Sequence, residues 1–249
     1  MKDPFQIWFE ALEKKYLNEL KFSEIRRALQ ALSALYVEKR GQRSFQKALE
    51  GKGKRAAFAL YYGAMHFLQV RHVVRALGAR GSIERIIDLG CGIGSAGIAW
   101  ALELPSKPQI IGYDRHPWAV KETRWTYQVL GLKGKALRGN MQNVILPGKN
   151  SGIVLAFTAN ELDESQRQIL FIKLITSAKK GASILVVEPI SRRVTPWWSQ
   201  WSRVFQELGG RDDDWRFTVP LPETLKLLDK AAGLDHQQLT CRSLWLPGK

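Results

Sequence analysis

The spacing of hydrophobic positions changes near residue 84. Upstream it is helical. Phe5, Trp8, Phe9, Leu12, Tyr16 and Leu20 share one face and predict a helix over 5–20. Ile25, Leu29, Leu32 and Leu35 predict a second, from Ser23 as N-cap to about Glu38. A third, strongly apolar helix is expected over 56–78, packed against the downstream portion of the chain. Downstream, short apolar runs alternate with longer amphipathic ones. Strands are expected near 85–89, 109–113, 135–138, 152–157 and 182–188, and helices near 94–104, 117–130 and 163–179. A last strand is read within 236–246. Such alternation implies an α/β fold with a doubly wound, mostly parallel sheet. The division expected is a helical N-terminal domain over 1–80 and an α/β domain over 81–249.

The first strand runs into the most informative segment. Ile86 and Ile87 lead to Asp88, then Gly90, Gly92 and Gly94 at alternate positions, then the apolar run Ile98 to Leu102. Strand, glycine turn and helix build a nucleotide-type pocket at the strand's carboxyl end, where the backbone turns sharply against a ligand. Two cofactors compete. Gly92-Ile93-Gly94-Ser95-Ala96-Gly97 fits the dinucleotide pattern, and Asp114 follows at the spacing of a ribose-binding acid. Asp88 decides against the dinucleotide, because a carboxylate at the mouth of this turn would repel a pyrophosphate. S-adenosylmethionine (SAM) has no phosphate and carries an ammonium and a sulfonium.

Asp88-x-Gly90-x-Gly92-x-Gly94 resembles the first motif of class I SAM-dependent methyltransferases. That resemblance covers about residues 84–246. It implies a Rossmann-like, seven-stranded sheet whose last strand is antiparallel. It places Asp88, Gly90, Cys91, Gly92 and Gly94 at the amino-acid end of SAM, with Cys91 as a small filler. Asp114, ending the second strand, would accept the ribose hydroxyls. Asn140 and Met141 would meet the adenine, or else form a plain turn. Thr158 is grouped with these cofactor residues. Asn160 and Glu161, after the fourth strand, would orient the methyl acceptor or take its proton, unless they merely cap a helix. No Asn/Asp-Pro-Pro-Tyr sequence stands there, and no cysteine. His66, His72, His116 and His236 are scattered, so no metal is expected.

Charge adds a partner. The chain carries net +15, of which residues 1–80 contribute +9, residues 81–150 +4 and residues 151–249 +2. A basic appendage on a catalytic fold reads as a dock for a polyanion, most simply RNA. Arg40, Arg43, Lys47, Lys52, Lys54 and Arg55 fall in a glycine-bearing stretch over 39–55 that reads as a mobile basic loop. Arg192 and Arg193 precede Trp197, Trp198 and Trp201. This loop reads either as an RNA contact or as a helix burying Trp197 and Trp201. Two cysteines, no run of about 18 apolar residues and no secretory leader point to a cytoplasmic protein without a membrane span.

A narrower resemblance rests on Asn160-Glu161-Leu162, Val187-Glu188-Pro189 and Arg27-Ala28-Leu29. These are similar to the methyltransferase-like family associated with the small ribosomal subunit. The cysteine cluster of its mitochondrial members is absent. The reading is a SAM-dependent methyltransferase acting on RNA, small-subunit rRNA first. The rivals are a small-molecule methyltransferase and a non-catalytic SAM-binding ribosome assembly factor, with an NAD(P) oxidoreductase behind them.

Overall fold

The computed structural model describes residues 2–38 and 49–249. Its sheet has seven strands: β1 (Arg85–Leu89), β2 (Gln109–Asp114), β3 (Gly134–Arg138), β4 (Ser151–Ala156), β5 (Ser183–Glu188), β6 (Arg211–Phe217) and β7 (Leu239–Leu246). The order is β3-β2-β1-β4-β5-β7-β6. The first five strands are mutually parallel, and β7 enters antiparallel between β5 and β6. The five parallel strands therefore put all their carboxyl ends on one edge. The order reverses between β1 and β4, and that switch point opens a crevice beside β1.

Helices cover both faces: α1 (Pro4–Leu17), α2 (Phe22–Glu38), α3 (52–77), α4 (Ser95–Ala101), α5 (Pro117–Val129), α6 (Glu164–Lys179), α7 (Trp198–Glu207) and α8 (Glu223–Ala231). Two cores result. The larger joins α1, α2 and α3 to α4 and one sheet face, with Trp8, Phe67, Trp100 and Val154 all fully buried. The smaller lies under α6 and α7. Alternate residues of β4 divide between them, Val154 to one and Ile153 and Leu155 to the other.

Several elements depart from expectation. Helix α2 starts at Phe22, so Ser23 sits in its first turn. Its N-terminus is closed by Glu24, whose carboxylate accepts the Lys21 N–H at 2.8 Å. The third helix begins at Lys52, not 56, so Lys52, Lys54 and Arg55 are helical and not in a loop. Arg40, Arg43, Lys47 and the side chain of Leu35 lie outside the described residues. Midway, α3 opens into a π-helical turn, Phe58–Gly63. The Trp197/Trp201 stripe is core: Trp197, Trp198 and Trp201 are at most 5% exposed, and Trp201 stacks on Phe171 with centroids 4.7 Å apart. That excludes the tryptophans as surface platforms for RNA bases. Neither β6 nor α8 was expected. Arg211-Asp-Asp-Asp-Trp-Arg-Phe217 lacks an apolar run because it is an edge strand, and charged edges resist stray pairing.

The N-terminal helices are bonded to the α/β layer as well as packed on it. Trp8 donates its indole N–H to Thr126 Oγ1 at 3.1 Å, and Lys15 pairs with the buried Glu122 at 2.6 Å. Among the described residues no helix is long and apolar enough to cross a membrane. A shared core predicts a shared unfolding event. Trp8→Ala should cost about 3–5 kcal/mol in a single urea transition, with circular dichroism and tryptophan fluorescence coincident. A separate early transition for the helical signal would show that residues 1–80 unfold on their own.

Candidate active site

At the carboxyl end of β1 the chain folds back on itself. Gly90, Gly92 and Gly94 have φ of 70°, 54° and 87°, the left-handed region that favours glycine. Gly90 also faces Thr158 so closely that a Cβ there would lie 2.4 Å from the threonine methyl. The N–H groups of Gly90 and Cys91 both bond Tyr113 O, at 2.8 and 3.0 Å, which ties the turn to β2. Cys91 is buried, its Sγ 3.5 Å from Thr123 Oγ1, and burial raises its thiol well above the ordinary range. Its side chain is a filler, so only its backbone can serve a ligand.

Asp88 does not face the crevice directly as expected. It is 1% exposed, and its Oδ2 accepts the Gly97 N–H at 2.9 Å from behind the turn. The carboxylate thus holds the amino end of α4 against β1. Burial pushes it up to about 7, against that hydrogen bond and with Asp114 adding repulsion. Asp114 bridges two segments: Oδ2 accepts from Gly92 N at 3.0 Å and Oδ1 from His116 N at 2.8 Å. Burial raises it too, although both bonds oppose the rise.

The segment after β4 supplies the opposite wall. Phe157 has φ of 55°, a left-handed conformation unusual for an aromatic residue. Thr158 Oγ1 bonds Ala156 O at 2.9 Å. The turn is gathered by Glu188 at the end of β5, a residue not placed in the site by its sequence context. Fully buried, it accepts from Thr158 N at 3.1 Å and Ala159 N at 2.7 Å. Burial pushes it up to about 8 despite these bonds. Glu161 is half-buried, and burial, then Glu188 and Asp114, push it up to about 8 as well. Asn160 Oδ1 and Glu188 Oε2 are buried without a partner among the described residues.

Asn140 stands at the end of β3 with its Oδ1 likewise unpartnered. Met141, expected against an adenine ring, is instead packed in the smaller core at 6% exposure. Arg192 and Arg193 are exposed on the turn after β5, in line with an outward role but apart from this chemistry. Lys52 pairs with Glu19 at 3.4 Å, and Arg55 donates to Leu49 O at 2.9 Å. Among the described residues no group of three or more His, Cys, Asp or Glu is arranged to hold a metal.

The third helix, expected to pack on the α/β portion, does so over the crevice, but its point of closest approach was not legible. A Cβ on Gly63 would come 2.3 Å from Ile93 Cδ1, so α3 lies directly on the glycine turn. This places Phe58 edge-on to Trp118 and beside Tyr62, at 6.1 and 6.0 Å, and stacks His66 on Phe157 at 4.0 Å. Only the π-helical turn, invisible to periodicity, signals this approach.

The strand order and this turn match known structures. Mitomycin 7-O-methyltransferase MmcR aligns with a TM-score of 0.57 at 14% identity, over 100% of this chain and 74% of that one. A SAM-dependent methyltransferase from Aquifex aeolicus aligns at 0.50 and 16% identity, over 82% and 97%. The chain has the class I SAM-dependent methyltransferase fold. No family model matches it. By sequence, 113 residues are 33% identical to carboxy-S-adenosyl-L-methionine synthase of Colwellia psychrerythraea (strain 34H), covering 43% of this chain. The match spans 45% of that relative, less than half its length.

Within this methyltransferase fold, Glu161 has a testable cost. Its carboxyl is raised on folding, so its stabilising contribution is present below its unfolded value and lost as pH rises through about 8. Glu161→Gln should therefore raise Tm at pH 8 by about 2–4 °C and leave it unchanged at pH 4.5. An equal shift at both values would remove the charge explanation.

Proposed function

We propose that this protein is a SAM-dependent methyltransferase acting on RNA, with small-subunit rRNA as the first acceptor to test. One observation carries the cofactor assignment. In a chain of net +15, four carboxylates crowd this end of the sheet, Asp114, Glu161 and Glu188 around the crevice and Asp88 behind its turn, all raised by burial, and Asp88 and Glu161 also by neighbouring acids. At or just beyond the ends of β3, β4 and β5, the oxygens Asn140 Oδ1, Asn160 Oδ1 and Glu188 Oε2 are buried without a partner among the described residues. Such a site wants a ligand rich in donors and positive charge. SAM fits on every count, whereas a dinucleotide would bring its pyrophosphate against these acids.

Asp114 is set to accept ribose hydroxyls, and Asn140 Oδ1 an adenine amino group. The glycine turn admits the amino-acid end, with Asp88 acting through the turn it braces. When bound, SAM supplies a methyl group already activated on its sulfonium. The chain's own task is then alignment and the exclusion of water, and Glu161 and Asn160 stand where an acceptor would be steadied. Glu161, held near neutrality, is suited to receive an acceptor proton. RNA is favoured by the charge excess of residues 1–80 and by the exposed Arg192 and Arg193. The aromatic roof at Phe58, Tyr62 and Trp118 supports a second reading, a small-molecule acceptor enclosed under α3.

Calorimetric titration with SAM tests the first claim, and the absence of binding would sink it. Cation binding favours the ionised carboxylates. Binding should therefore release protons, and affinity should rise roughly three- to tenfold from pH 6 to pH 8. Asp114→Ala should weaken binding by about 1–3 kcal/mol. Transfer of tritiated methyl from SAM to small-subunit particles or naked rRNA, with affinity falling steeply in salt, tests the acceptor. Label found only in small molecules would favour the second reading, and SAM binding without any transfer would indicate a non-catalytic factor.

A further inference from the structure

Helix α3 brings one polar side chain to the crevice. Gly63 seats the helix on Ile93 of the glycine turn, and His66 comes less than one turn later. Its ring lies on Phe157 with centroids 4.0 Å apart and planes 12° from parallel, and Tyr62 flanks it at 6.3 Å. His66 is half-buried, and neither ring nitrogen has a hydrogen-bond partner among the described residues. Burial lowers it to about 3, so the imidazole is neutral and offers one donor and one acceptor. An imidazole with no protein partner leaves both nitrogens available to a ligand, and left-handed aromatic residues tend to mark functional places.

These two departures meet at the acceptor side of the crevice. Phe157 leaves β4 with its N–H on Val187 O at 2.8 Å, so its strained backbone is fixed by the sheet and not by a loose loop. The next residue, Thr158, abuts Gly90 of the glycine turn. Three residues on from Phe157, Asn160 Oδ1 is buried and unpartnered.

We propose that His66, held flat by Phe157, reads the polar edge of the methyl acceptor together with Asn160, and that this pair selects a planar nitrogen heterocycle, a nucleobase. An imidazole edge and an amide oxygen match the alternating donors and acceptors of a base edge. The aromatic wall of Tyr62 and Phe157 matches its flat, weakly polar faces. The inference rests on the SAM-dependent reading above and specifies what that site accepts. His66 acts here as a specificity residue, since a group held so far below neutrality is a poor base.

The test uses the full chain saturated with S-adenosylhomocysteine and labelled with ¹⁵N-histidine. The four histidines give few imidazole signals, assigned by single replacements. AMP, GMP, CMP and UMP are titrated to millimolar concentrations, with ribose 5-phosphate as the control. At least one nucleotide should shift the His66 nitrogens saturably while the control does not. His66→Phe keeps the stack and loses the nitrogens. It should bind S-adenosylhomocysteine within about twofold of the parent but the nucleotide about tenfold more weakly. His66→Asn restores a hydrogen-bonding edge and should recover part of that loss. No nucleotide effect on His66, an equal effect of ribose 5-phosphate, or unchanged nucleotide affinity in His66→Phe would overturn the proposal. Failure of the parent to bind S-adenosylhomocysteine would instead overturn the cofactor assignment beneath it.

Discussion

The crevice is organised by carboxylates that the fold buries at the carboxyl ends of its strands. Asp88 ends β1's apolar run and reaches back to Gly97, Asp114 ties the glycine turn to the start of α5, and Glu188 gathers the turn after β4. Each satisfies backbone N–H groups that would otherwise be stranded in an irregular, buried loop. A neutral amide could offer the same oxygen. The acidity therefore has a further role: burial and mutual repulsion raise these groups and make their ionisation costly until a cation arrives. A site that destabilises the empty protein in this way gains selectivity for ligands of one sign.

The molecule tolerates that cost because its remainder is tightly joined. The layer above the crevice is formed by residues far upstream, and α3 is bonded to the α/β layer at several points. Tyr61 donates to the buried Asp229 at 2.7 Å, which also binds His236, so α3, α8 and the segment before β7 meet at one carboxylate. Trp100 of α4 donates to Ala79 O at 2.9 Å just beyond the end of α3. The roof over the glycine turn is consequently as well anchored as the turn. Residues such as His66 can then be held to a fixed geometry without support from a ligand.

What could be read in the sequence depends on how local each signal is. Strands β1, β4 and β5 were legible because their apolar runs are continuous, as expected for strands covered on both faces, whereas the edge strand β3 is mostly exposed and was legible from its flanking glycines and its place in the alternation. Asp88 and the glycines were legible because turn chemistry is written in adjacent residues. Yet the direction in which Asp88 points was not, since that depends on Gly97 approaching from the next helix. Strand β6 was hidden by Asp212, Asp213 and Asp214, two of which meet partners only after folding: Asp212 the Trp198 indole, Asp214 Arg242. The Trp197–Trp201 stripe fits a surface platform or a core helix equally, and only the packing of Phe171 decides. His66 carried no signal at all. Ninety-one residues separate it from Phe157, and no periodicity reports a contact at that range.

The opposition of charge between crevice and surface suggests how a cationic cofactor and an anionic acceptor could share one site. A strongly basic exterior repels SAM at long range, but that field is screened beyond about 8 Å at physiological ionic strength. Inside the crevice the nearest groups are carboxylates at contact distance in low dielectric, where they dominate. An RNA strand meets the reverse order: attraction by the outer surface and repulsion from the acids within. Its phosphates would thus be kept at the rim, and only an uncharged portion, a base, could be admitted to the crevice. On the proposed reading, the distribution of charge and the imidazole edge at His66 would then select in the same direction, the first by keeping phosphate at the rim and the second by pairing with a ring.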